Sequence, residues 1–389
     1  MNTIKNLDGV RGIAILLVVF FHLPKQAGWG GATSLTTLPF GWMGVQLFFV
    51  LSGFLITRIL VGTKDHGFGS YLKRFYVRRV LRIFPLYYGF LLALGLIWAV
   101  TSLPPQLERY WPYLATFTWN WTRADVTWEE STWFVHLWSL SVEEQFYLVW
   151  PFVVFLLPRR GIVLASLVAV LACPFVRMAF ADHYAARGLP PFTVYDATYW
   201  NTLGQLDAFA WGALLSLAPS DLLQRIPSGL TLLGGAALFV AGGIGMQLFA
   251  VDVPAPLVDM HREVALATAG YWWPLGLPIP LVETASTRHV WGYTVINVFF
   301  ATIILFAITR RATWLLANRP LVDVGKVSYG MYVLHLPVLV MVTHYGAGHL
   351  DIHSWLGAGV YVATLYLLSK LVFAFWERPF LRLKDRFAP

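Results

Sequence analysis

Residues 41–60 read GWMGVQLFFVLSGFLITRIL, with Arg58 as the only ionisable group. Roughly 20 consecutive apolar residues are what a helix needs to cross a hydrocarbon core ~30 Å thick. The stretch therefore predicts a transmembrane helix, and Gly41, Gly44 and Gly53 let a neighbouring helix approach it closely. Similar apolar segments recur on both sides, at about 10–24, 83–102, 137–157, 161–180, 201–218, 229–250, 290–309, 326–345 and 355–376. The expectation is an all-α polytopic bundle of about ten transmembrane helices.

Composition agrees. Of 389 residues, 58% are apolar and 12% charged, with mean hydropathy +0.63. A soluble domain carries about a quarter charged residues. No soluble stretch is long enough to bury a core of its own, so residues 1–389 are expected to form a single transmembrane domain with no appended soluble domain. Lys5 and Arg11 precede the first apolar run, but no small-residue cleavage site follows it, so the run reads as a retained first span. Cys173 is the single cysteine, which excludes an internal disulfide.

The net charge of +8 could point to nucleic acid, but its distribution argues against that. With the N-terminus in the cytoplasm, three quarters of the 28 Lys and Arg residues fall on the cytoplasmic side. That bias is the positive-inside pattern and puts both termini in the cytoplasm. The expected partner is the lipid bilayer, with no nucleic acid, and the expected location is the inner (cytoplasmic) membrane, crossed many times.

Two outer loops stand out. Residues 103–136 carry Trp111, Trp119, Trp121, Trp128 and Trp133, either as an interfacial aromatic belt or as a sugar-stacking surface. Residues 251–289 form a second outer segment with Tyr271-Trp272-Trp273. On the inner side, residues 70–82 predict an amphipathic interfacial helix with Arg74, Arg78 and Arg82 as a basic stripe, after which Pro85 restarts the chain as the third span.

Ionisable groups in a bilayer are costly and mark functional sites by default. Arg11 and His22 are 11 residues apart on the first span, hence on one helix face and ~16 Å apart along the axis. Asp8 can pair with Arg11 one turn away. A buried neutral histidine is a usable general base. Glu143 and Glu144 lie in the fourth span at a depth comparable with His22, and a carboxylate beside His22 would fix its tautomer and support the imidazolium formed in turnover. Ser328, Tyr332 and His335 can line a cavity from the ninth span, and Asp207 is a weaker candidate in the sixth. For each group a packing or ion-pair role stands beside the chemical one.

These residues resemble the membrane acyltransferase-3 family of bacterial O-acyltransferases. Leu7 to Ala14, continued to His22, is similar to its arginine-x10-histidine signature, and Val45 to Phe54 to its second-span motif. Arg79-x-x-Arg82 resembles its basic element, Trp138 to Tyr147 its tryptophan-serine-leucine-serine motif, and Tyr329 to Pro337 with Glu377-Arg378-Pro379 its C-terminal elements. Six matches in order run from residue 7 to 379. Gln205 departs from the family, which commonly has arginine two residues before the position of Asp207.

The resemblance implies transfer of an acyl group, acetyl by family frequency, from acyl-CoA as donor substrate to a hydroxyl of an envelope or exported glycan, a lipid-linked sugar or a small molecule. It implies His22 as catalytic histidine, with Arg11, Arg79 and Arg82 on the CoA side and Glu143 as the motif carboxylate. No metal is expected. Joined to the residue-level reading, this gives an O-acetyltransferase in which His22 takes the acceptor's proton and Glu143 supports the charge, with Ser52, Ser139 and Tyr332 as unranked donors to the oxyanion. Asp8, Glu144 and His335 complete the candidates. The alternative is a proton-coupled permease using the intramembrane His and Glu, although no internal repeat of the kind transporters show is visible.

Overall fold

A computed structural model describes residues 5–23, 41–219, 228–248, 288–309, 313–345 and 354–385, together with 223 and 225. Among them there is no strand. The helices are α1 (Lys5–His22), α2 (Met43–Gly62), α3 (Phe68–Thr101), α4 (Leu107–Ala115), α5 (Trp138–Leu156), α6 (Arg159–Ala186), α7 (Pro191–Trp200) and α8 (Leu206–Leu217). They continue with α9 (Ser228–Leu248), α10 (Arg288–Ile308), α11 (Thr313–Leu316), α12 (Arg319–Lys326), α13 (Ser328–Tyr345), α14 (Trp355–Val372) and α15 (Arg378–Asp385). Most of the second outer segment, with Tyr271-Trp272-Trp273, lies outside the described residues.

Every expected apolar segment contains a helix. Among the described residues four helices are long and apolar enough to span a membrane: Met43–Gly62, Phe68–Thr101, Arg159–Ala186 and Trp355–Leu383. A fifth is added if Arg319–Lys326 and Ser328–His344, bent by 74°, are one broken span. Three further helices are set apart by local features. α1 carries Lys5, Asp8 and Arg11, α5 carries Glu143 and Glu144, and α8 begins only after a 3-10 turn at Leu203–Gln205.

The long helices are inverted relative to a soluble protein. On α6, Leu164, Leu167, Val168, Leu171 and Phe175 are exposed at helical spacing, while Ser166 and Arg177 are buried. On α3 the exposed residues include Leu92, Leu96 and Val100. A continuous apolar outer face is costly in water and suits lipid. Inside, one core joins α1, α2, α3, α5, α8, α10, α13 and α14, from Leu7 to Leu365.

α2 and α8 cross at backbone distance. A Cβ on Gly53 would stand 2.0 Å from the Phe209 carbonyl oxygen, and one on Gly212 would stand 2.0 Å from that of Val50. Only glycine fits at both positions, the small-residue packing expected for the second span.

The basic segment 70–82 is not a separate interfacial helix. It is the first half of α3, which runs through Pro85 without a break. Proline removes a backbone N–H, and in membrane helices neighbouring side chains re-satisfy the backbone around it. The carbonyl left without its helical donor is that of Leu81; close to it, the Tyr329 hydroxyl donates to the Ile83 carbonyl at 2.8 Å, and the Trp376 indole to the Pro85 carbonyl at 2.9 Å, tying α3 to later elements. In the tryptophan-rich loop, Trp119 is fully buried and Trp128 and Trp133 pack on the core, while Trp111 and Trp121 are exposed. Most of that loop's aromatic surface is therefore spent on packing.

Candidate active site

α1, α2, α3, α5 and α13 converge on two clusters of polar side chains. The first is cationic. Arg11 forms an ion pair with the buried Asp8 at 2.6 Å, one turn along α1. Arg79 lies over the rings of Phe75 and Tyr147, 5.7 and 5.4 Å from their centroids. Arg82 is within electrostatic reach of both Arg11 and Arg79. The three sequence-predicted arginines thus form one group, although they come from α1 and α3.

Carboxylates face this group. Ser52 on α2 donates to Glu143 on α5 at 2.6 Å, and the Tyr147 hydroxyl donates to Ser52 at 3.1 Å. Glu143 and Glu144 both interact electrostatically with Arg79, and Glu377 does so with Arg82. One oxygen each of Glu144 and Glu377 is buried without a hydrogen-bond partner. Guanidinium groups partly buried against aromatic rings and carboxylates suit a bidentate anion such as a phosphate.

The second cluster is built from imidazoles. His22, the last residue of α1, makes a 2.9 Å hydrogen bond from Nδ1 to the Val18 carbonyl. A carbonyl only accepts, so Nδ1 carries the hydrogen and Nε2 is the basic nitrogen. The backbone of α1 thus holds the Nδ1 hydrogen of His22, while Ser52 donates to Glu143. The His22 ring stands 4.9 Å from that of His335, and the His335 ring 4.7 Å from that of His136. His136 lies in the 3-10 turn Val135–Leu137 that leads into α5.

The three candidate hydroxyl donors all spend their protons inside the protein. Ser52 donates to Glu143. Tyr332 donates to the His136 carbonyl at 2.8 Å, so the hydrogen between Tyr332 and Ser139, 2.5 Å apart, belongs to Ser139. Any of them would have to exchange partners to serve an oxyanion.

Sequence reasoning missed His136, Tyr147 and Glu377 as site residues. His136 stands one residue before the expected fourth span, and a lone histidine there carries no signal until its ring partners are known. Asp207 belongs elsewhere. It forms a fully buried bidentate pair with Arg177 at 3.0 and 3.1 Å, and also accepts from Thr294 and Asn297. Gln205, at the position where the family commonly has arginine, instead accepts from Gln46 at 2.8 Å and donates to the Tyr199 carbonyl at 2.5 Å. The charge opposite Asp207 comes from α6.

A family model described as an acyltransferase domain matches residues 4–374. The O-acetyltransferase OatA of Staphylococcus aureus (strain NCTC 8325 / PS 47) is 25% identical over 97% of this chain and 57% of that protein. A protein named as an O-acetyltransferase in strain COL of the same species is 24% identical over 98% of this chain and 58% of its own length. BcsY of Komagataeibacter xylinus, named as a membrane-bound transacylase, is 28% identical over 99% of this chain and 85% of that protein. The chain thus spans less than two thirds of the length of these Staphylococcus aureus relatives. No solved structure matches it.

Proposed function

Because the chain belongs to the acyltransferase-3 family, we propose that it is an integral membrane O-acyltransferase. Its donor is cytoplasmic acyl-CoA, with acetyl as the acyl group. Its acceptor is a hydroxyl on an envelope or exported glycan, a lipid-linked sugar or a small molecule. The proposed topology is ten crossings of the cytoplasmic membrane with both termini inside, and residues 1–389 act as one catalytic unit.

The observation that carries this reading is the arrangement along α1. Arg11 sits within the arginine group, and His22, the last residue of the helix, sits ~16 Å further along it. That span suits the phosphates of CoA at Arg11, Arg79 and Arg82, with the pantetheine arm reaching toward His22. The acceptor hydroxyl gives its proton to His22 Nε2 as its oxygen attacks the thioester carbonyl. The carbon–sulfur bond then breaks, and the leaving thiolate takes the proton back from His22. This sequence needs a base and an oxyanion stabiliser and no covalent intermediate. Glu143, through Ser52 and beside Arg79, belongs to the donor end, where it sets the charge balance of the arginine group. The family match speaks against the permease alternative.

The test is transfer of radiolabel from acetyl-CoA in proteoliposomes supplied with a crude envelope-glycan extract. Wild type is expected to label the glycan and His22→Ala to lose at least two orders of magnitude, the scale of general-base contributions (~100-fold or more). Equal labelling by both removes His22 from the mechanism. No labelling by wild type with any acyl-CoA rejects the donor assignment.

A further inference from the structure

His22 packs against His335, and His335 in turn against His136, in a row of three imidazoles. His335 bonds through Nδ1 to the Tyr332 carbonyl at 2.6 Å, and His136 bonds through Nε2 to the Val333 carbonyl at 3.0 Å. Carbonyl partners only accept, so those nitrogens carry the hydrogens and the other two are bare lone pairs. His335 Nε2 and His136 Nδ1 are both buried, and neither has a hydrogen-bond partner. Buried acceptors without donors are disfavoured and call for an explanation.

Metal ligation does not supply it. The His335 and His136 rings meet edge to face, 71° between planes, and among the described residues no group of three or more His, Cys, Asp or Glu could hold a metal ion. An oxyanion role does not supply it either, because both N–H groups are spent on the backbone. What two neutral lone pairs can do is stabilise a nearby positive charge. The His335 ring centroid lies 4.9 Å from that of His22, and the His136 centroid lies 4.7 Å from that of His335.

Resting on the reading of His22 as general base, we propose that His335 and His136 are positioning residues whose lone pairs stabilise the His22 imidazolium while it holds the acceptor's proton. They take the place that a carboxylate occupies in a Ser-His-Asp triad. The cation exists only between proton removal from the hydroxyl and its return to the leaving thiolate. A neutral pair answers a transient charge without leaving a permanent anion beside His22 in the bilayer, where an unpaired ion is costly. The pair is held from outside: Tyr332 donates to the His136 carbonyl and Tyr361 to the His335 carbonyl at 3.0 Å.

The experiment compares His136→Phe with His136→Asn in the radiolabel assay, reading kcat and KM for acetyl-CoA and for the glycan extract. Phenylalanine keeps the ring and loses the lone pair. Asparagine loses the ring and keeps a carbonyl acceptor near the Nδ1 position. Both give up the Val333 bond. The expected result is a kcat lowered on the order of tenfold in His136→Phe, with both KM values unchanged and most of the rate restored in His136→Asn. A role in packing alone reverses the order, because asparagine leaves the larger void, and that result overturns the proposal. So does a loss confined to KM, or a His136→Phe enzyme as fast as wild type. If His136→Phe does not fold, His335→Gln against His335→Leu gives the same comparison at Nε2. If wild type transfers label and His22→Ala does not, a reversed order sinks this proposal alone; if His22→Ala equals wild type, both readings fall.

Discussion

The hydrogen on His22 Nδ1 is committed to Val18, so in the proposed reaction it is Nε2 that takes up the acceptor's proton. Sequence spacing located His22 and Arg11 on one face of α1 because helical geometry is local. It could not find what orients the ring, since the orienting group is the helix's own backbone and His335 lies more than three hundred residues away. A second residue-scale consequence concerns Asp125 in the outer loop. The Thr127 backbone N–H and hydroxyl donate to its carboxylate, at 2.8 and 2.9 Å, and hold it below the ordinary carboxylate range. A depressed folded-state value means that the stabilisation is present above the unfolded value of about 3.9 and is lost as pH falls through the lower folded one. The contribution is small, because half of the Asp125 side chain is exposed. Hydrogen exchange of the Thr127 amide should keep its protection down to the ordinary carboxylate value of about 3.9 and lose it only at lower pH, and Asp125→Ala should show that lower protection at neutral pH. Unchanged protection in Asp125→Ala would mean that the turn is held by Arg109, which donates to the Thr127 carbonyl at 2.7 Å.

Among the elements, the α2–α8 crossing is the seam with least slack. Gly53→Ala places a methyl against the Phe209 backbone, and a backbone atom cannot rotate away as a side-chain tip can. The expected cost is about 1–3 kcal/mol, read as a lower midpoint of thermal unfolding in detergent. Gly62→Ala, where no atom lies within 4 Å, should leave the midpoint unchanged. Equal behaviour of the two variants would show that the crossing can relax. The glycines were legible in the sequence as a packing device, but not the identity of the partner helix. The opposite holds for α3, where Pro85 predicted a break and the structure has none. Proline's cost is local and readable, whereas the Tyr329 and Trp376 donors that hold the helix on either side of it come from far along the chain.

At the scale of the whole molecule, the helical class and the apolar outer faces were largely legible, because periodicity and the cost of charge in lipid are properties of each segment alone. Which segments touch was not. Asp207 shows the difference. From sequence it was an ionisable group in a span and hence a site candidate, while in the structure it ties α6, α8 and α10 together through Arg177, Thr294 and Asn297. Breaking a fully buried pair leaves one charge without its partner, at a cost of about 3–5 kcal/mol. Arg177→Met should therefore reduce folded yield and thermal midpoint sharply. The double variant Arg177→Met/Asp207→Leu should recover much of the loss, as measured by size-exclusion profile and thermal midpoint. A double variant no better than the single one would mean that the Thr294 and Asn297 bonds, not the charges, carry the joint.

Trp376 and Pro85 are 291 positions apart in the chain. During synthesis the arginine-bearing helix is thus made early, and the residue that clasps it emerges almost three hundred residues later. For all that time the basic stretch sits in the nascent protein without its C-terminal clasp. A ribosome that stalls short of Trp376 leaves a product in which the Pro85 carbonyl lacks this donor. The order of translation itself keeps the two ends of this contact apart until Trp376 is made.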